Sequence, residues 1–422
     1  MPWKEMSPVT ERMRFIVDVQ KDLFSIAELA DRYEISRKTA YKWIERYEAD
    51  GPGGLEDRSS AADRVANRTP AEIEDLVIAF RIKHPTWGPK KTLKRLSDDH
   101  PELALPARST VAAILKRSGL VEPRPRRRKE GHPGRPQCLA TAANDIWGAD
   151  FKGQFRTRDG LYCYPFTVSD LFSRFIISCD GQLSTDTGPV QAAFERAFRE
   201  YGMPLAIRTD NGSPFGSTGI ARLTRLSVWF LKLGIRRDLI QPGRPDQNGC
   251  HERMHRTLKR EATKPPEANL RKQRKRFDAF RSEFNHERPH EAIDMRRPAE
   301  VFTASPRPFP DRLQSPQYPA HFEVRRVSRN GGIRWKGEWL NVGHSLIEED
   351  LGFVEVQDGI WDAYFASLLI GRFDERDRRL IGTLATPRRY EKRGNRLEGH
   401  ANRPASPGDS LSFHSAATTR KC

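Results

Sequence analysis

The sequence predicts a multidomain protein: all-α helix-turn-helix units first, a central α/β domain on a mixed sheet, and a small C-terminal β-barrel. Three observations predict it. Two sets of capped helices fill the first 120 residues, apolar strands alternate with helices from Asp145, and short strands around a Gly-Gly turn follow a proline-rich stretch. The expected boundaries are 1–60 and 66–122 for the helical units, 123–140 for a basic linker and 141–303 for the α/β domain. A proline-rich linker at 304–320, a barrel at 321–384 and a disordered tail at 385–422 complete the chain.

Composition narrows the partners. Lys and Arg number 73 against 56 Asp and Glu, leaving +17 over 422 residues. Apolar residues at 37% fall below the ~45–50% of an ordinary globular chain, enough for several small cores but not one large one. No run of ~18 apolar residues exists, so no transmembrane helix and no membrane partner are expected. The N-terminus has no apolar signal region, which points to the cytoplasm. Cys138, Cys163, Cys179, Cys250 and Cys422 are scattered without a CxxC pair, so neither a disulfide framework nor a cysteine-built zinc finger is expected. A reduced protein of this charge most often meets a polyanion, and nucleic acid leads.

Residues 25–50 fit a helix-turn-helix. Ser25 and Glu28 form a capping box, Ala30 is small where a second helix must cross closely, Ile35 plugs the turn and Ser36 caps the next helix. Ala40, Trp43, Ile44 and Tyr47 recur at helical spacing as the buried face. Arg37, Lys38, Tyr41 and Lys42 lie near the start of that helix, where such motifs meet base edges. Glu34 occupies a turn position that usually holds glycine.

A second helical unit spans about 69–120. Thr69-Pro70-Ala71-Glu72 is a strong helix start, Trp87-Gly88-Pro89 breaks the chain, Ser109 is expected to cap a last helix, and Gly119 to end it. Residues 121–136 carry six basic residues, two acidic ones and four prolines, an extended cationic linker that cannot build a core. Its Arg126, Arg127 and Arg128 could follow a phosphate backbone.

The middle third supplies the chemistry. Three strands, DIWGADFKGQF, LYCYPFTVSD and RFIISCDGQL, are joined by turns, the first at Asp159-Gly160. An amphipathic helix from Thr185 to Tyr201 presents Val190, Ala193, Phe194, Ala197 and Phe198; strand PLAIRT, a helix at about 219–233, strand IRRDLI and a basic helix follow. Asp150 lies on the first strand, Asp210 closes the fourth, at the edge where α/β sheets place ligands, and Glu252 sits in the first turn of the basic helix. Clustered carboxylates need a counter-charge. Magnesium supplies it, and two ions ~3.5–4 Å apart suit in-line phosphoryl transfer. Asp170 reads as structural, and Asn211 and Gly212 as shaping the loop that aims Asp210.

WGADFKG, RTDNGSPF and PGRPDQNGCHERMHRTLK resemble the three signature segments of bacterial insertion-sequence transposases with a retroviral-integrase-type catalytic core. The resemblance implies a ribonuclease H-like fold and an Asp-Asp-Glu triad, which falls by segment match on Asp150, Asp210 and Glu252. The acid-to-acid spacing common in that family lands instead on Asp246, but NG-x-x-E-R ahead of a basic helix fixes the register on Glu252. A longer helical insert around 217–233 accounts for the difference. The implied activity is Mg²⁺-dependent DNA strand cleavage and strand transfer, with Mn²⁺ as a substitute and two ions bound. The implied partners are double-stranded DNA (element ends and target) and further copies of the chain, at least a dimer. Nucleoid association follows. His255, Arg256 and Lys259 share a helix face with Glu252 by spacing and would meet phosphates.

Two other readings compete. One is a catalytically inactive or domesticated DNA-binding regulator of the same family. The other is a zinc protease, because HERMH at 251–255 and HERPH at 286–290 both satisfy H-E-x-x-H. Pro289 spoils the helix of the second match, and the first runs into an exposed basic stretch. Residues 251–276 hold ten basic and three acidic residues, read as a DNA track.

Overall fold

The computed structural model describes residues 7–58, 68–122, 139–241, 249–377 and 379–383. Arg126, Arg127, Arg128, Asp246 and the tail from Ala385 lie outside them. The chain divides into two compact units, Met1–Pro70 and Ala71–Cys422.

The first unit has three helices, α1 (Pro8–Gln20), α2 (Ile26–Arg32) and α3 (Arg37–Asp50). The Ser25–Glu28 capping box is made in both directions, at 2.8 and 3.3 Å, and Ser36 Oγ accepts from Thr39 N to start α3. Phe15, Ile16, Leu29, Ala30, Ala40, Trp43 and Leu55 form the core. Glu34 takes φ +53°, the left-handed conformation that normally favours glycine; Ile35 N then reaches Ala30 O and closes the turn.

The second unit opens with α4 (Ala71–Lys83), α5 (Pro89–Asp99) and α6 (Arg108–Arg117) around Val77, Leu96, Val111, Ile114 and Leu115. Ser109 is not the cap of α6: that helix already starts at Arg108, and Ala107 at its N-cap makes no side-chain hydrogen bond.

The sheet that follows comprises β1 (Ile146–Phe151), β2 (Phe155–Arg156), β3 (Tyr162–Asp170), β4 (Ile176–Gln182), β5 (Ala206–Thr209) and β6 (Arg236–Leu239). β1, β3 and β4 pair antiparallel, whereas β1, β5 and β6 run parallel, so the sheet is mixed. One face packs α7 (Thr187–Tyr201) and α8 (Arg225–Lys232) over Trp147, Phe166, Val168 and Ile207. The other packs α9 (Gly249–Glu261) and α10 (Leu270–His286) over Cys163, Ile176 and Cys179. The period-2 alternation of strands therefore turns Trp147 and Ala149 to the first face and Gly148 and Asp150 to the second.

The helix expected at 219–233 is shorter, because Ala221 and Arg222 take positive φ (45° and 52°) and keep the chain irregular up to Thr224. Its apolar residues still serve two cores. Leu226, Trp229 and Phe230 face the sheet, whereas Val228 and Leu231 pack on the C-terminal domain. That domain is an open antiparallel sheet in the order β13-β12-β11-β10-β7, with β8 and β9 as a separate hairpin. These strands are β7 (Glu323–Arg326), β8 (Gly332–Trp335), β9 (Glu338–Asn341), β10 (Asp350–Gln357), β11 (Ile360–Phe365), β12 (Leu368–Asp374) and β13 (Arg379–Gly382). The pairings among the described residues leave the expected barrel unclosed, and α8 contributes to the core that closure would have sealed. The proline-rich stretch at 304–320 is strapped down: Arg307 donates to Pro204 O and Leu233 O, and Phe309 packs on Phe198 and Trp229. No described helix is long and apolar enough to cross a membrane.

Candidate active site

Asp150 sits on β1 directly opposite Thr167 of β3. Asp210 follows the last residue of β5, the neighbouring parallel strand, so both carboxylates reach the same edge of the sheet. They line one pocket of about 250 Å³ with Gln154, Tyr164 and Ser213. The loop is shaped as expected: Gly212 N donates to Asp210 Oδ1 at 3.2 Å, and Asn211 Nδ2 ties the turn to Ile240 O at 2.7 Å. Burial, then the charge of Asp210, and more weakly that of Glu252, push Asp150 up to about 7.

The face of β1 and β3 that meets α9 is polar at its centre. Thr167 Oγ1 donates to Asp150 O at 3.1 Å and lies 2.8 Å from His251 Nε2 and 2.7 Å from His255 Nε2. One hydroxyl has one proton. If the Asp150 carbonyl takes it, both imidazoles donate to Thr167 through Nε2. His251 Nδ1 then accepts from Ser169 Oγ at 3.3 Å, and His255 Nδ1 is left as a lone pair 3.9 Å from Asp150 Oδ2. Burial drives both rings toward neutrality, His251 to about 4 and His255 to about 2. A neutral His255 gives Asp150 no counter-charge.

His255 is therefore not a DNA contact. It is 4% exposed, because on α9 the residues His251, Met254, His255 and Leu258 form the inward stripe. Arg256 and Lys259 are exposed with Glu252 on the outer side of that helix. Arg37, Lys38, Tyr41 and Lys42 are all exposed on α3. Asp170 is fully buried and takes hydrogen bonds from Asn144 N, Ser173 N and Ser173 Oγ, a structural role.

The structure brings Asp150 and Asp210 together but does not gather Glu252 onto them: among the described residues no group of three His, Cys, Asp or Glu stands ready to hold a metal. The donor set still fits a hard cation, since the carboxylates of Asp150 and Asp210 share one pocket. Zinc fits the HERMH pair poorly, because Thr167 Oγ1 already occupies the point where both Nε2 atoms converge. In the second match, α10 ends at His286, so its two histidines share no helix.

Sequence reasoning missed the Thr167 hub, although polar Thr167 and Ser169 within an apolar strand and two histidines four apart were a usable signal. It also missed how the α4–α6 unit seats on the core. Arg288 clasps Glu261 through two bonds of 2.8 Å and Thr86 through one of 2.7 Å, while His84 Nδ1 meets Glu283 at 3.2 Å.

This fold and site define an integrase-type core preceded by helix-turn-helix units. Two integrase core domain families match residues 140–245 and 233–298, a helix-turn-helix domain matches 11–63, and a homeodomain-like domain matches 39–115. An uncharacterized 31.7 kDa protein of insertion element IS407 from Burkholderia multivorans is 30% identical over 192 residues, 45% of this chain and 67% of that one. The transposase of insertion sequence element IS904 from Lactococcus lactis is 26% identical, over 40% of this chain and 68% of its own. The magnesium-bound HTLV-2 integrase catalytic core domain is 18% identical, with a TM-score of 0.31 over 39% of this chain and 99% of its own. The chain belongs to the insertion-sequence transposases with an integrase-type core.

Proposed function

We propose that this chain is an active transposase: it binds the inverted-repeat ends of a mobile DNA element, cleaves them and joins them to target DNA. The observation that carries the reading is the pairing of Asp150 and Asp210 in one pocket at the sheet edge, with Asp150 held up to about 7. Two carboxylates brought into one pocket repel each other, and a divalent cation between them relieves that repulsion.

Asp150 and Asp210, joined by Glu252 from α9, would hold Mg²⁺ or Mn²⁺, two ions in all. Bound there, the metal would neutralise the phosphodiester and favour in-line displacement, which requires no nucleophilic Ser, Tyr or Cys. Gly212 N orients Asp210, and Thr167 ties the backbone of Asp150 to α9, so the spacing of the three acids depends on that helix. Arg256 and Lys259 would hold the strand by its phosphates. Arg37, Lys38, Tyr41 and Lys42 would read the element ends, with Arg126, Arg127 and Arg128 following the backbone between domains. Two ends held at once would require at least a dimer.

The test is cleavage of a labelled duplex drawn from the DNA flanking the gene. Nicks at a discrete end that need Mg²⁺ or Mn²⁺ and stop with chelator support the reading. Tight binding with no cleavage under any metal contradicts it.

A further inference from the structure

A second cavity, of about 310 Å³, opens beside α9 away from the Asp150–Asp210 pocket. Four cations contribute to its wall: Lys91 from α5, Arg174 from the β3–β4 turn, Arg253 from α9, and Arg288 just past α10. Its two carboxylates are occupied. Asp170 accepts three hydrogen bonds from Asn144 and Ser173, and Glu291 pairs with Lys90 at 3.0 Å.

Arg288 is satisfied by Glu261, but the other three cations make no ion pair with a carboxylate among the described residues. Arg174 and Arg253 both turn to the Cys250 thiol, a weak acceptor. Arg174 does so from a left-handed backbone, φ +68°, a conformation that costs free energy in a residue with a side chain. Lys91 Nζ has no hydrogen-bond or ion-pair partner among the described residues. His290 Nε2 is buried and equally without one.

The crowding of positive charge shows in both groups. Burial and then Arg288 lower Lys91 to about 8, against the smaller opposing pull of Glu261 and Glu291. Burial, then Lys91, Arg288 and Arg174, lower His290 to about 3. Lys91 and Arg174 are half-buried in this wall, and with their donors unspent on carboxylates the cavity offers an anion charged hydrogen bonds. Guanidinium forks and a lysine ammonium are the groups that bind phosphate.

We propose that this cavity is a phosphate-binding pocket, separate from the carboxylate site, that seats either a backbone phosphate of bound DNA or a free phosphoanhydride. The DNA source rests on the transposase reading; the phosphate chemistry does not. Ser169 lines the cavity and its Oγ reaches His251, so an occupant would border the helix that carries Glu252.

The full chain would be titrated with inorganic pyrophosphate by calorimetry and with a labelled duplex by anisotropy across a salt series. Lys91→Gln and Arg174→Gln would be compared with the charge-keeping Lys91→Arg, each first shown to melt like wild type. Loss of one charged hydrogen bond predicts about tenfold weaker pyrophosphate binding in either glutamine variant, and near wild-type binding in Lys91→Arg. If the source is DNA, the glutamine variants also weaken duplex binding and flatten its salt slope by about one, and pyrophosphate competes with the duplex. Pyrophosphate binding lost with DNA binding unchanged leaves a pocket for the free anhydride. If wild type binds pyrophosphate, with the same loss in the variants, yet binds no DNA, the pocket stands and the transposase reading falls. Normal DNA binding that ignores both glutamine variants, with no pyrophosphate bound by wild type, overturns the pocket and spares that reading.

Discussion

The hydroxyl of Thr167 lies 2.8 Å from His251 Nε2, and through that contact the strand opposite Asp150 grips the helix that bears Glu252. His255 reaches the same oxygen, so one side chain joins β1, β3 and α9. Thr167→Val keeps the shape and removes the oxygen, stranding two buried imidazoles. Each stranded group costs about 1–3 kcal/mol. Denaturant unfolding should show a loss of that order, with Thr167→Ser close to wild type; a valine variant as stable as wild type would remove Thr167 from its central place.

Gly148 makes the approach of His251 possible. A Cβ there would lie 2.9 Å from Leu171 Cδ2 and 3.0 Å from His251 Nδ1. Gly148→Ala should destabilise by about 1–3 kcal/mol, the usual cost of overpacking, and displace α9 enough to reduce DNA cleavage more than DNA binding. Equal losses in both assays would argue that only folding had suffered.

Much of this was legible in the residues. The capping box at Ser25, the order of strands from Ile146 and the loop around Asp210 follow from local chemistry, and each stands as read. What stayed hidden depends on contacts far apart in sequence. Nothing near His255 says that its face meets Thr167, 88 residues away, and spacing alone grouped it with Arg256 and Lys259. The open C-terminal sheet escaped for a similar reason: its core is completed by Val228 and Leu231 of α8, a helix the chain makes long before those strands. Arg288 and Glu261, 27 residues apart, form the seat of the α4–α6 unit, which no periodicity marks.

Lys91 should give stability a pH dependence. Its folded value of about 8 lies below the ordinary 10.5, so between those limits the unfolded chain binds the extra proton and stability rises with pH. The penalty is fully present below about pH 8 and gone above about 10.5. Relative to Lys91→Met, wild type should therefore gain up to about 1.4 kcal/mol per pH unit across that window. Parallel stability curves for the two proteins would show that Lys91 is solvated.

Arg37 and Lys38 open α3 with exposed side chains. If they meet DNA, the pair Arg37→Gln and Lys38→Gln should weaken end binding and lower the salt slope, by about one for each phosphate contact removed. Anisotropy on an element-end duplex and on an unrelated duplex separates base reading from phosphate contact. A slope unchanged on both duplexes would place recognition elsewhere.

The central claim is that Asp150 belongs to a metal-assisted phosphoryl-transfer site, and one comparison tests it most directly. Wild type and Asp150→Asn would be assayed side by side for binding and for Mg²⁺-dependent cleavage of the same element-end duplex. The account predicts that binding stays near wild type, because phosphate contacts dominate affinity, while cleavage disappears. Cleavage by Asp150→Asn at a wild-type rate would contradict it.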